Sequence, residues 1–555
     1  MKTSIEIAQN AKLLGINAIT DKLGLADDDF DSYGKHTGKI RLDTYDKLKG
    51  NKDGKLILVT AMTPTRFGEG KTLTSVGLGQ ALEKIGKKGV VALREPSLGP
   101  VFGIKGGAAG GGYSQILPMA DINLHFNGDI HAISAAHNLL SAMLDAHLHH
   151  GNELDINPTN IQWKRAMDMN DRALRNIVIG LGGPVHGIPR ESGFVITAAS
   201  EVMAILALAT SRADFKKRLG NIVVGYNRSG EVIRARDLKA HDAMALLLDK
   251  ALMPNIVQTL EHTPALIHAG PFANIAHGTN SVIADKFALK LADYVVTEAG
   301  FGADLGAEKF FDIVCRQSGL YPSTVVVVAT CRAIRWHGGM EPDTELDQEK
   351  FKLGLANVQA HVRNMKKFGV PVVVAVNKFP DDTEWEINQV RNMAAENGVE
   401  CEPHDAFYSG GEGAMALAEK VVASADANPN PTPKFLYDLD QSIEDKVEVV
   451  ATQIYGADGV SFSPAAMSKL AQYKSLGFGE LPICIAKTQS SLSDIANVRN
   501  VPKNWKLTVT DASLSAGAGF IVIICGSMML MPGLGKVPAA VNMSIDENGI
   551  ISGLF

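Results

Sequence analysis

A short apolar run, Leu56–Thr60, breaks into Thr65-Arg66-Phe67-Gly68-Glu69-Gly70-Lys71-Thr72, and a helical stretch follows from Leu73. Strand, glycine-bearing loop and helix in that order constrain the chain to a βα unit whose helix N-terminus faces an anion. The pattern is GxxxxGK[ST], with Thr65 in place of its first glycine. Backbone N–H groups of such a loop wrap phosphate oxygens. Gly70 permits the tight turn, Lys71 reaches the β- and γ-phosphates, and the Thr72 hydroxyl completes a Mg²⁺ shell. The plain alternative is a structural glycine turn; the strand before and the helix after favour the phosphate loop.

The same strand-then-helix rhythm recurs. Val90–Leu93, Ile222–Val224, Ala265–His268, Tyr294–Thr297, Val325–Ala329 and Val372–Val376 are brief β-branched runs bounded by Gly, Pro or polar residues. Runs of that length fit strands buried on both faces of a parallel sheet. Intervening stretches such as Ala199–Thr210 and Asp242–Ala251 have helical length. The prediction is an α/β fold: a P-loop NTPase-like, mostly parallel sheet with helices on both faces. Ala423–Lys434 (ASADANPNPTPK) reads as a linker, with a smaller unit beyond it.

Composition narrows the function. At 555 residues more than one domain is expected, and 46% apolar with 21% charged residues is ordinary for a globular enzyme. A net charge of −6 argues against nucleic acid as a partner. No run reaches the ~18 apolar residues that span a membrane. Cys315, Cys331, Cys401, Cys484 and Cys525 are scattered and form no CxxC pair, as expected of reduced thiols in a cytoplasmic protein.

Other segments add anion chemistry. Val90–Leu93 delivers Arg94 at its carboxyl end, where open α/β sheets bind ligands, and an arginine there suits a phosphate or carboxylate. Gly103–Tyr113 (GIKGGAAGGGY) holds six glycines in eleven residues, and with Lys105 and Tyr113 it reads as an ordered anion loop. Asp121–His137 is dense in Asp and His without a metal-ligand spacing, so a polar substrate wall is the better reading. His147, His149 and His150 read as a solvated helix end. Glu298 and Asp304, beyond the Tyr294–Thr297 run, are candidates to hold Mg²⁺ or its water. Asn377-Lys378-Phe379-Pro380 places Pro where a guanine-reading motif needs Asp.

Taken together these segments resemble the formate–tetrahydrofolate ligases. GIKGGAAGGGY and VATCRAIRWHGG (Val328–Gly339) look like the two family signatures, the second with Ile334 and Arg335 for the usual Leu and Lys. INLHFNGDIHA, TEAGFGADLGAEKF, AKTQSSLSD, SAGAGF and MPGL agree further, and the likeness runs from about Thr60 to Phe555. The resemblance implies that ATP, Mg²⁺, formate and tetrahydrofolate, including polyglutamylated forms, give ADP, phosphate and 10-formyltetrahydrofolate through formyl phosphate. By motif position, Thr65, Arg66, Phe67, Gly68, Glu69, Gly70, Lys71 and Thr72 would bind ATP, with Thr72 on its Mg²⁺. Lys71 and Arg94 would be catalytic. Arg94, Lys105, Asp129, Phe301, Phe379 and Phe407 would meet the substrates, with Phe379 stacked on the pterin. It further implies an activating monovalent cation and a homotetramer. The expected division is 1–364 as nucleotide-binding domain, 365–434 as a second α/β domain contributing to the folate site, and 435–555 as a C-terminal α/β domain.

Three stretches depart from the family pattern. Arg66-Phe67 replaces Pro and a small or aliphatic residue, Phe407 stands for a Trp, and the acidic-proline continuation after SLSD is missing. Two other classes share parts of this pattern. A regulatory P-loop ATPase would carry Lys-Gly at the places of Arg66-Phe67 and would be shorter. A dinucleotide oxidoreductase needs GxGxxG directly after a strand, which Gly103–Gly112 lacks.

Overall fold

The computed structural model describes residues 2–103, 109–341, 344–526 and 528–554. Its centre is a 12-stranded sheet. From one edge the order is Phe30–Ser32, Gly38–Ile40, Asn255–Thr259, Pro264–Ile267, Gly89–Leu93, Tyr294–Glu298, Lys55–Ala61, Thr324–Ala329, Val372–Asn377 and Glu400–His404. Gly110–Gly111 and Ser114–Leu117 join beside Asn255–Thr259. From Pro264–Ile267 to Glu400–His404 every neighbouring pair is parallel. The expected mixed α/β architecture with a large, mainly parallel sheet is therefore present.

Alternation along each strand explains the layers. Leu56 and Leu58 pack with Val295, Val325 and Val374 on one face. Ile57, Val59 and Ala61 pack with Val296, Val326 and Val373 on the other. Successive strand side chains point to opposite faces, so a run without polar breaks must be covered twice. The helix Gln348–Lys366 covers the first face with Val358 and Val362. The helices Lys71–Lys84 and Met415–Ala427 cover the second with Leu78, Leu82, Leu417 and Val421. Gly79 lets the first of these sit close, because a Cβ there would lie 2.2 Å from Val91 Cγ2.

Two expectations change in detail. The run at Ile222–Val224 forms Val223–Asn227, which pairs antiparallel with Val232–Arg234 and Ile156–Ile161 in a separate 3-stranded sheet. Its β-branched composition signalled a strand but not which sheet would take it. The linker expected at Ala423–Lys434 is shorter, because the helix Met415–Ala427 continues to Ala427 on the strength of Val421, Val422 and Ala425, which face the core. Val372–Asn377 and Glu400–His404 extend the large sheet, so residues 365–434 share its core. Beyond them a 4-stranded sheet runs Val460–Phe462, Leu507–Ser515, Phe520–Cys525, Ile483–Ala486. Among the described residues no helix is long and apolar enough to cross a membrane, and all five cysteines are buried and unbridged.

Candidate active site

Five adjacent strands end at one place. Lys55–Ala61 leads into the loop Thr65–Thr72, Gly89–Leu93 into Arg94, Tyr294–Glu298 into Phe301, Thr324–Ala329 into Thr330 and Arg332, and Val372–Asn377 into Phe379. All are carboxyl ends of parallel strands, the edge at which open α/β sheets take ligands. Cavities of about 420 Å³, lined by Arg391, Val399, Glu400 and Lys420, and of about 250 Å³, lined by Lys52, Lys55, Lys87 and Tyr294, lie by the amino ends of strands instead. The convergence of side chains, not cavity size, marks the site.

The loop is braced from within. Gly68 and Gly70 have φ of 74° and 75°, which only glycine adopts cheaply. A Cβ on Gly70 would stand 2.3 Å from Asn377 Nδ2, so glycine is needed there for space as well. The Glu69 carboxylate turns inward: Oε1 accepts from Thr65 N at 2.7 Å and from Thr65 Oγ1 at 2.9 Å, and Oε2 accepts from Thr330 Oγ1. Asn377 Nδ2 donates to the Glu69 carbonyl at 3.3 Å. Glu69 thus shapes the loop with its side chain, and the Phe67 and Gly68 N–H groups bond back to Thr65 Oγ1 and the Thr65 carbonyl. Below it, Thr63 is held by Asn357, His361 and His337. Burial lowers the His361 imidazole to about 4 and depresses His337 as well, so both hold the loop as neutral rings.

Lys71 opens the helix Lys71–Lys84, and Gly70 precedes it. The Thr72 hydroxyl donates to Glu298 Oε2 at 3.0 Å. Glu298 also faces Arg94 Nη2 at 3.8 Å. Arg94 Nη1 donates to the Pro271 carbonyl at 3.1 Å, and its Nε is buried without a partner. Burial pulls the guanidinium below its ordinary value while Glu298 opposes that pull; an arginine stays charged regardless. A Cβ on Gly300 would come within 2.9 Å of Arg94 Nη1, so glycine keeps the approach to that cation open.

The two carboxylates expected near magnesium separate. Glu298 is in the site, whereas Asp304 is fully buried and accepts from Lys487 Nζ at 2.8 Å. That contact joins the TEAGFGADLGAEKF segment to AKTQSSLSD in the smaller sheet's unit. Asp129 is likewise committed: Lys39 Nζ lies 2.7 and 2.8 Å from its two oxygens, and Asn255 Nδ2 donates at 2.7 Å. Burial pushes the neighbouring Glu95 carboxyl well up, and the Asp129 charge adds to it. Lys39 was not legible as the partner of Asp129, because in the run Gly38-Lys39-Ile40-Arg41 it looks like a solvated lysine.

The aromatic candidates line the same edge. Phe301 holds φ of 59°, a left-handed conformation that is strained for a non-glycine residue and is found most often at functional sites. Phe379 is half-buried, with its N–H on Asp382 Oδ2 at 2.8 Å. Phe407 lies against the glycine stretch, its carbonyl accepting from Tyr113 N at 2.9 Å. Lys105, from the same stretch, lies outside the described residues. Arg332, within the stretch VATCRAIRWHGG, contacts both the loop and Phe379.

Thr72 with Glu298 offers an oxygen-only donor set, which suits a hard cation such as Mg²⁺. A glycine-bearing loop at a helix N-terminus, a cation beside it and aromatic rings beyond neighbouring strand ends are groups that can meet an anion and a planar ligand. A family model described as Formate--tetrahydrofolate ligase matches residues 2–555. The match takes in the N-terminal segment, including Lys39, that the motif resemblance alone did not reach.

Proposed function

Because the chain belongs to the formate–tetrahydrofolate ligase family and is therefore a carbon–nitrogen ligase that uses ATP, we propose that it couples the two half-reactions through formyl phosphate at Arg94. A formate oxygen attacks the γ-phosphorus and ADP leaves. The N10 amine of tetrahydrofolate then attacks the formyl carbon, phosphate departs with the former formate oxygen, and the amine loses its proton. Formate is a poor electrophile, and phosphorylation supplies the leaving group.

The observation that carries this reading is Arg94. Its side chain is 22% exposed at the shared strand edge, with one backbone acceptor and a distant carboxylate, so donors remain for an anion. Held there, it would stabilise charge on the transferring phosphoryl group and then on the tetrahedral oxyanion. Loop N–H groups and Lys71 would hold the β- and γ-phosphates. Thr72 and Glu298 would hold the magnesium that accompanies ATP, which neutralises charge on the phosphate oxygens. Phe379, with Phe301 and Phe407 nearby in the fold's binding edge, would receive the pterin. Phe407 offers a π-face of smaller area than the Trp it replaces. In this reading 365–434 supplies Phe379 and Phe407, and 435–555 braces the site through Lys487. A homotetramer and monovalent-cation activation belong to the same proposal.

Incubating the protein with formate, tetrahydrofolate and MgATP, then acidifying, yields methenyltetrahydrofolate absorbance if the product is 10-formyltetrahydrofolate. Product that forms without formate, or folded protein that forms none, would contradict the proposal.

A further inference from the structure

Arg332 bridges the phosphate loop and Phe379. Its guanidinium carbon stands 4.8 Å from the Phe67 ring centroid and 4.7 Å from the Phe379 ring centroid. Nη2 donates to the Gly68 carbonyl at 3.3 Å, and Nε is buried with no partner. The Arg66 guanidinium lies 4.6 Å from the same Phe67 ring. A planar guanidinium can serve two rings at once, which an ammonium on a flexible stem cannot. Phe67 is 52% exposed, so its ring is not retained by core packing; its described contacts are these two cations. With a small residue at this place, Arg332 would keep only the 3.3 Å bond to the Gly68 carbonyl on the loop side, and Phe379 would lose a firmly held neighbour.

We propose that Phe67 is a positioning residue for folate: through Arg332 it sets the orientation of the Phe379 ring, so a side chain of the nucleotide loop controls pterin binding. The inference rests on the reading of Phe379 as the pterin-stacking ring. It also gives a role to the Arg66-Phe67 pair, which departs from the family pattern. The loop holds phosphates through backbone N–H groups, so the Phe67 ring is free for this second task.

The test is a comparison of KM values in Phe67→Ala, Phe67→Trp, Arg332→Lys and Phe379→Ala. In Phe67→Ala, the KM for tetrahydrofolate rises about threefold to fivefold, the scale of one solvent-exposed cation–π contact, while the KM for ATP moves by less. Phe67→Trp restores the tetrahydrofolate KM, and Arg332→Lys raises it further because both ring contacts are lost. A rise in the KM for ATP alone, or no change in either KM, overturns the inference while leaving Phe379 in place. If Phe379→Ala leaves the tetrahydrofolate KM unchanged, the folate reading of Phe379 fails and the inference falls with it.

Discussion

The Lys39–Asp129 pair and the Arg94–Glu298 pair lie on the same sheet, yet their geometry differs in every respect that matters for ligand binding. Lys39 is wholly buried, 2.7 Å from a carboxylate that is itself 3% exposed and also bonded to Asn255. Arg94 stands 3.8 Å from Glu298, and Glu298 is shared with Thr72. A close pair whose donors are satisfied has nothing left to offer a ligand, and its desolvation cost is offset only while both partners remain. A long pair with spare donors at a strand edge is organised for something to enter. Charge proximity alone therefore does not identify a catalytic centre; the state of the remaining donors does.

The largest effect should come from breaking the sealed pair. Lys39→Met leaves the buried Asp129 carboxylate without its cation and with Asn255 alone on it, and about 3–5 kcal/mol of stability should be lost, read as a lower denaturation midpoint or as failure to fold; an unchanged midpoint would show that the pair is not structural. Next, Arg94→Ala should lower kcat by about 10²–10³, the scale of one lost oxyanion donor, with MgATP affinity changed by less than about threefold. If Lys39→Met folded normally and abolished turnover instead, the contrast between the two pairs would be reversed. Thr72→Val should weaken MgATP binding by about tenfold, a cost of roughly 1.4 kcal/mol, whereas Thr72→Ser keeps the hydroxyl and should stay near the parent.

A smaller effect sharpens the comparison with a third buried carboxyl that has no cation. Asp285 is fully buried with Asn280 on one oxygen and none on the other, and burial pushes its carboxyl up to about 7. Its folded value lies above the ordinary one, so its contribution to stability is complete below about pH 4 and is lost as pH rises through about 7. Asp285→Asn should flatten the decline of the thermal midpoint between pH 5 and 7.5. An identical decline in both proteins would remove Asp285 from the pH response.

Much of this architecture was legible in the sequence because it is written in short-range patterns. Uninterrupted β-branched runs such as Val325–Ala329 can only be doubly covered strands, and their ends delivered Arg94, Glu298 and Phe379 to one edge. Partners fixed by long-range folding were not legible. Glu298 and Asp304 are both carboxylates beyond one strand, and nothing local says that Lys487, 183 residues away, would claim Asp304. Glu69 sits inside the phosphate-loop motif, yet its side chain serves Thr330 and Thr65. Lys39 gave no signal at all, since burial of a lysine depends on which carboxylate the fold brings to it.

The formyl phosphate route is tested most directly by following oxygen. With formate carrying ¹⁸O at both oxygens, MgATP and tetrahydrofolate, mass spectrometry of the released phosphate should show one ¹⁸O per phosphate for each product formed, because the oxygen that attacked the γ-phosphorus leaves with it. Phosphate without label, at full yield of 10-formyltetrahydrofolate, would contradict transfer through formyl phosphate.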